Sequence, residues 1–140
     1  MWTKASGGSP TTADSRGRTR PRRWKSPADV LIPAAVGGVL SPDVVARLAA
    51  PLVVGPANNQ LTDDSVADLL AERGTVWVPD FVANAGGIIY TLAREVDGLD
   101  HAAATARVEV IEQTVSELLA GGGTPLREAV FIGGRAIRFA

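Results

Sequence analysis

The sequence predicts an α/β fold: about three parallel strands with flanking helices, followed by a helical C-terminal part. Three observations carry this. The short runs Val30-Leu31-Ile32, Leu52-Val53-Val54 and Thr75-Val76-Trp77-Val78 are apolar, rich in β-branched residues and closed by proline or glycine. Between consecutive runs lie segments with helical start and stop signals. Strand, helix, strand, helix, strand with short loops implies parallel pairing through right-handed crossovers.

The first run, Val30-Leu31-Ile32, fits a strand buried on both faces, and Pro33 ends it because it cannot donate to the ladder. Gly37 and Gly38 then allow a tight turn. Ser41-Pro42-Asp43 reads as an N-cap with proline in the first helical position, opening a short helix from Asp43 to Leu48. Leu52-Val53-Val54 is the second buried strand, stopped by Gly55-Pro56. Thr62 is the expected N-cap of the next helix, with Asp63 and Asp64 at the positive end of its dipole. Val66, Leu69 and Leu70 mark its buried face, and Arg73-Gly74 signals its end. The third strand, Thr75 to Val78, stops at Pro79. A helix from Ala83 to Val96 carries Ile88, Ile89, Leu92 and Val96 at helical spacing. Asp97-Gly98 ends it, and Asp100 caps a long helix from His101 to Ala120 with Val108, Ile111, Val115, Leu118 and Leu119 on its buried side. Gly121-Gly122-Gly123 breaks the chain, and Thr124-Pro125 starts a last, weaker helix.

At 46% hydrophobic and 21% charged residues the composition is that of a soluble globular domain. No apolar run approaches the roughly 18 residues of a bilayer span, and the N-terminus lacks an apolar signal core. The absence of cysteine excludes a disulfide framework and a thiolate metal site. A cytoplasmic location is the expectation, with no membrane partner.

The net charge of −1 conceals an asymmetry. Residues 1–25 hold seven Lys or Arg against Asp14 alone, a net +6, leaving −7 for the remainder. The segment is rich in Gly, Ser, Thr, Pro and Arg without apolar periodicity, which predicts a disordered basic leader (1–25) ahead of one folded domain (26–140). Arg16 to Lys25 could attract phosphate backbones, and Trp24 could stack on a base. A basic tail without a nucleic-acid module is the simpler account, so no nucleic-acid partner is expected.

Chemistry is expected at the strand ends, since ligands of open parallel sheets collect beyond the strands' carboxyl termini. Three motifs lie there: PAAVGG (Pro33 to Gly38), GPANNQL (Gly55 to Leu61) and PDFVANAGG (Pro79 to Gly87). Small residues let a flat ring approach the backbone, and carboxamides donate and accept together. Consecutive asparagines in a loop, as at Asn58 and Asn59, are more often turn residues than ligands. Asn84-Ala85-Gly86-Gly87 is equally an N-cap followed by glycines that permit close helix packing. Residue chemistry alone leaves those structural explanations slightly ahead. His101 is a surface or capping residue, and Asp63, Asp64 and Asp68 form a solvated helix start, so no metal site is expected.

The order and spacing of the motifs shift the balance. DVLIPAAVGGVL, GPANNQL and RGTVWVPDFVANAGG together resemble the coenzyme-binding domain of the glutamate, leucine, phenylalanine and valine dehydrogenases, most closely the leucine/valine/phenylalanine branch. The resemblance covers about Asp29 to Ala120 and implies a partial Rossmann-like fold and an NAD cofactor. By position, it implies that Pro33, Ala34 and Ala35 line the ribose and nicotinamide and that Asn58 and Asn59 lie by the nicotinamide. Asn84 would sit near the reacting centre, with Ile88 and Thr91 lining the pocket for the amino-acid side chain. The family reaction is oxidative deamination of an L-amino acid to a 2-oxo acid and ammonia, with hydride passing to NAD and with lysines and an aspartate of another domain supplying acid–base chemistry and substrate binding. The resemblance implies an amino acid or 2-oxo acid as small-molecule partner, and a homo-oligomer formed through the exposed sheet edge is a further expectation.

The departures are as informative. No GxGxxG loop precedes the matching region, so the pyrophosphate cradle is missing. The lysines are Lys4 and Lys25, neither in a family motif, so no catalytic residue is assigned. Thr91 stands where an apolar residue is usual. The expectation is therefore a fragment, the second half of a coenzyme domain behind an unrelated leader, inactive alone. The alternative is a non-catalytic interaction or oligomerisation module that uses the exposed sheet edge.

Overall fold

The computed structural model describes residues 23–25 and 27–130. Most of the expected leader, and the terminal FIGGRAIRFA stretch after Val130, lie outside the described residues. The last residues of the basic stretch, Arg23–Lys25, form a 3-10 turn. Trp24 is half-buried against the core, and its carbonyl accepts from the Ala49 amide at 2.8 Å.

Three short strands, β1 (Val30–Leu31), β2 (Leu52–Val53) and β3 (Val76–Trp77), form a parallel sheet in the order β1-β2-β3. Their register aligns Val30, Leu52 and Val76 in one row and Leu31, Val53 and Trp77 in the next. Each crossover holds one helix: α1 (Pro42–Val45) after β1 and α2 (Ser65–Glu72) after β2. The α/β class and the parallel arrangement are as the sequence implied.

The core is built on one face of this sheet. Leu31, Val53 and Trp77 meet Val45 and Leu48 of the α1 segment and Val66, Ala67 and Leu70 of α2, all buried. The expectation of strands buried on both faces is corrected here. Val30 and Val76, in the other row, are 39% and 42% exposed, and Leu52 is half-buried. The continuous apolar runs reflect a sheet face that the described residues leave partly uncovered.

The helix caps divide. Ser41 caps α1 as expected, its hydroxyl accepting from the Val44 amide at 3.4 Å, with Pro42 in the first helical position. Thr62 does not cap α2. Its amide and hydroxyl both donate to the Leu40 carbonyl, at 3.0 and 3.2 Å, within a parallel bridge that pairs Leu40 with Leu61. With Thr62 committed to Leu40, the helix begins three residues later, where the Asp63 carboxylate accepts from the Ser65 amide at 2.9 Å. Gly74, at φ 69°, closes α2 in the left-handed conformation that favours glycine.

After β3 the expected single helix is two. A short α3 (Asp80–Ala83) is followed by a turn at Asn84-Ala85, and α4 runs Gly86–Glu95. Ala93 is buried and Ile89 half-buried on the side facing α5 (His101–Ala120), whereas Ile88, Leu92 and Val96 are 60%, 49% and 72% exposed. Helical spacing identified an apolar stripe but not its direction. Gly86 explains the close approach of the pair, since a Cβ there would lie 3.2 Å from Val108 Cγ1. Asp100 caps α5, accepting from the Ala103 amide at 2.8 Å. Leu118 is buried, and Val108, Ile111 and Val115 are half-buried as expected, but Leu119 points outward. Residues 125–130 form the last helical segment described.

Candidate functional site

Because the strands are parallel, the loops leaving β1, β2 and β3 emerge at one end of the sheet. These loops contain Pro33 to Gly38, Gly55 to Leu61 and Pro79 to Ala85. The structure joins them through a small set of polar contacts.

The first two loops are bonded through their backbones. Ala57 donates to the Pro33 carbonyl at 3.0 Å, Gly38 to the Asn59 carbonyl at 2.7 Å, and Leu40 to the Gln60 carbonyl at 2.9 Å. A Cβ on Gly37 would lie 2.8 Å from the Asn58 carbonyl oxygen and 2.9 Å from that of Asn59, so only glycine allows this approach. Gly55 is tighter still, with a Cβ there 2.7 Å from Pro33 N and yet closer to its carbonyl oxygen.

The second and third loops are joined by side chains. Gln60 is fully buried and acts as an internal strut. Its Nε2 donates to the Gly55 and Ala57 carbonyls at 2.8 and 3.0 Å, and its Oε1 accepts from Trp77 Nε1 at 3.1 Å. Every hydrogen bond of this buried carboxamide therefore goes to folding the loop and tying it to β3. Asp80, 7% exposed, accepts the Asn59 amide on Oδ2 at 2.6 Å. Asn59 has φ 51°, a left-handed conformation that asparagine tolerates better than most residues. Asn84 Nδ2 donates to Asn58 Oδ1 at 2.5 Å and more weakly to the Pro56 carbonyl at 3.4 Å.

Each residue singled out from the sequence can now be placed. Pro33 is buried beneath the rim, with its carbonyl spent on Ala57, while Ala34 and Ala35 are exposed on it. Asn58 and Asn59 are exposed, and Asn84 is half-buried where α3 ends, so these three amides are brought together. Asn84 does not cap α4: Ala85 occupies that position without a side-chain bond, because the Asn84 amide is turned back to Asn58. Ile88 and Thr91 are exposed and three positions apart on α4, hence on one helix face. Ile88 is not core. His101 is an exposed helix-start residue, its Nδ1 2.9 Å from the Tyr90 hydroxyl.

Gln60, Trp77 and Asp80 were not singled out from the sequence, although they hold the rim in shape. A signal existed for each. Gln60 is the polar residue just before Leu61, Trp77 brings a buried N–H that needs an acceptor, and Asp80 follows the strand-ending Val78-Pro79. None of these signals is strong without the contact that it predicts.

Known proteins resemble this chain in sequence and in fold. The family model described as Glutamate/Leucine/Phenylalanine/Valine dehydrogenase matches residues 4–122. The leucine dehydrogenase of Bacillus cereus is 37% identical over 91 residues, 65% of this chain and 25% of that protein. The valine dehydrogenase of Streptomyces coelicolor is 41% identical over 92 residues, 66% of this chain and 25% of that protein. Among solved structures, the L-tryptophan dehydrogenase of Nostoc punctiforme superposes with a TM-score of 0.75 at 30% identity, covering 84% of this chain and 37% of that one. The region shared with the two curated relatives is thus about a quarter of their length.

Proposed function

The chain belongs to the glutamate/leucine/phenylalanine/valine dehydrogenase family, in the leucine/valine/phenylalanine branch, and on that premise we propose that it forms the nicotinamide-facing rim of an NAD-dependent L-amino-acid dehydrogenase. The observation that carries this proposal is the joining of Asn58, Asn59 and Asn84 at the carboxyl end of a parallel sheet. The donor set suits one end of the cofactor. Exposed carboxamides can donate to and accept from the amide of a nicotinamide, and the exposed Ala34 and Ala35 leave room for a flat ring.

In the proposed assignment, Asn58 and Asn59 orient the nicotinamide amide, Ala34 and Ala35 flank the ribose, and Pro33 supports them from beneath. Asn84 holds Asn58 and sits beside the reacting centre. Ile88 and Thr91 present one apolar and one hydroxyl-bearing surface to the side chain of a branched-chain or aromatic amino acid. The cofactor, when bound, accepts the hydride removed from the amino acid's α-carbon. This chain contributes orientation and the exclusion of water at that rim. It offers no motif lysine for the proton transfers, Lys4 and Lys25 being its lysines. Oxidative deamination therefore belongs to the assembled enzyme.

The test uses the isotope-labelled chain titrated with oxidised nicotinamide mononucleotide. The side-chain amide signals of Asn58 and Asn59 are expected to move, while α5 signals stay fixed. No NAD-dependent turnover of Leu, Val or Phe is expected from the chain alone. Unmoved rim signals would refute the site assignment, and robust turnover would refute the division of labour.

A second role has its own observation. Among the described residues β1 pairs with β2 alone, and Val30 and Val76 stand exposed on the open face. An unpaired edge beside apolar surface favours association with another copy. A concentration-independent monomer in light scattering would remove this reading.

A further inference from the structure

Asp80 lies directly behind the rim. The residue is 7% exposed and its carboxylate, among the described residues, has no cationic partner, the ion pairs there being Arg107–Asp97 and Arg127–Asp68. Its Oδ2 accepts from the Asn59 amide at 2.6 Å. That bond holds a residue at φ 51°, whose carbonyl is held from the other side by Gly38 at 2.7 Å. The Asn59 peptide is therefore clamped between the β1 loop and Asp80, and its side chain projects from a fixed backbone.

Keeping a carboxylate in a largely buried place without a counter-charge is unfavourable. A neutral acceptor could hold one amide equally well. The extra feature that a carboxylate brings is a negative charge next to the peptide that carries Asn59. A flat heteroaromatic ring exists in two charge states in this chemistry, cationic when oxidised and neutral when reduced. A negative charge behind the rim favours the cation, and it does so more strongly where water is partly excluded.

We propose that Asp80 is a positioning residue with a charge-selective role: it fixes the Asn59 turn and makes the rim prefer the oxidised, positively charged nicotinamide ring to the reduced, neutral one. The proposal rests on the assignment of Asn58 and Asn59 to the nicotinamide end, so its test separates the two. Wild type, Asp80→Asn and Asp80→Ala chains, isotope-labelled, are titrated with oxidised and with reduced nicotinamide mononucleotide. Amide exchange at Asn59 is measured in each.

Asn at position 80 keeps the shape and an acceptor but removes the charge. The wild type is expected to bind the oxidised form several-fold more tightly than the reduced form. D80N is expected to lose that preference while Asn59 stays protected. D80A is expected to speed Asn59 exchange at least tenfold. An unchanged oxidised-to-reduced ratio in D80N overturns the charge selection, and unchanged Asn59 exchange in D80A overturns the positioning. If neither mononucleotide moves the rim signals of the wild type, the functional assignment and the charge selection fall together. The exchange comparison still decides whether Asp80 holds the turn.

Discussion

Replacing Gln60 by leucine is the sharpest available test of how the rim is built. The two side chains are similar in size, so little cavity is created. What changes is polarity: the Gly55 and Ala57 carbonyls lose the Nε2 donor, and Trp77 Nε1 loses its acceptor. All of this happens at a residue with 0% exposure. Each buried polar group left without a partner costs about 1–3 kcal/mol. Three such groups, less about 1–2 kcal/mol regained from the added apolar burial, give a net loss of about 1–8 kcal/mol, centred near 4 kcal/mol. Small domains are stable by only about 5–15 kcal/mol, so Q60L should remove a large part of the total. For a chain of this size that is a drop of roughly 10–15 °C in Tm. Urea unfolding followed by far-ultraviolet circular dichroism would measure it as a lower midpoint at unchanged slope. The double variant Q60L/W77F should be less destabilised than the sum of the single variants, because the Trp77 bond is lost only once. A Q60L chain within about 1 kcal/mol of wild type, or strict additivity with W77F, would refute the strut.

Three further outcomes are expected. Gly55→Ala should cost about 1–3 kcal/mol or more in the same urea assay, since its Cβ would collide with the Pro33 backbone, which cannot swing aside as a side chain can; a neutral effect would show that the β1 and β2 loops are not in register as described. Gly87→Ala should stabilise by about 0.5–1 kcal/mol, because nothing lies within 4 Å of the new methyl in α4, whereas Gly86→Ala gains less or loses as Val108 gives way; a reversed order by thermal melting would show that α4 is turned the other way. The Asp63 carboxyl is held below its ordinary 3.8 by hydrogen bonds from the Ser65 hydroxyl and amide, weakly opposed by desolvation. A depressed folded pKa means stability that is present above 3.8 and lost as pH falls through the folded value, so Asp63→Asn should flatten that acid limb. An NMR titration placing Asp63 at or above 3.8 would contradict it.

The legible parts of the fold were those fixed by local chemistry. Ser41-Pro42 and Asp100 announced their caps because a short polar side chain beside a helix start has few competing partners. Gly74 and Gly98 mark helix ends because the backbone there has positive φ. The strands were legible as apolar runs closed by Pro33, Gly55 and Pro79. What escaped notice depended on distant partners. Thr62 looks like a cap until Leu40, 22 positions away, claims its amide and hydroxyl. Ile88, Leu92 and Val96 form a regular stripe, but α5 packs on the neighbouring Ile89–Ala93 face, where Gly86 allows close approach. The amides of the rim were visible as a motif. The residues that aim them were not, because the Gln60–Trp77 bond spans 17 positions and the Asn59–Asp80 bond spans 21.

The way the rim's polar groups are spent also limits what it can receive. Gln60 uses its donors within the loop and its acceptor on Trp77 of β3, and Asp80 faces the Asn59 amide. Asn84 gives its Nδ2 to Asn58, which thereby commits its Oδ1 and keeps its own NH2 group. Among the described residues the Asn59 carboxamide enters no hydrogen bond, so it retains both functions. The rim therefore offers donors at Asn58 and a donor–acceptor pair at Asn59, on a backbone clamped from two sides. Fixing these amides in advance lowers the entropy that a ligand must overcome. A ligand group matching this pattern needs an acceptor facing Asn58 and a combined donor and acceptor facing Asn59. A carboxylate meets the first requirement but not the second, since it has no donor. A primary amide on a planar ring can meet both, as the proposed assignment of this pair to a nicotinamide requires.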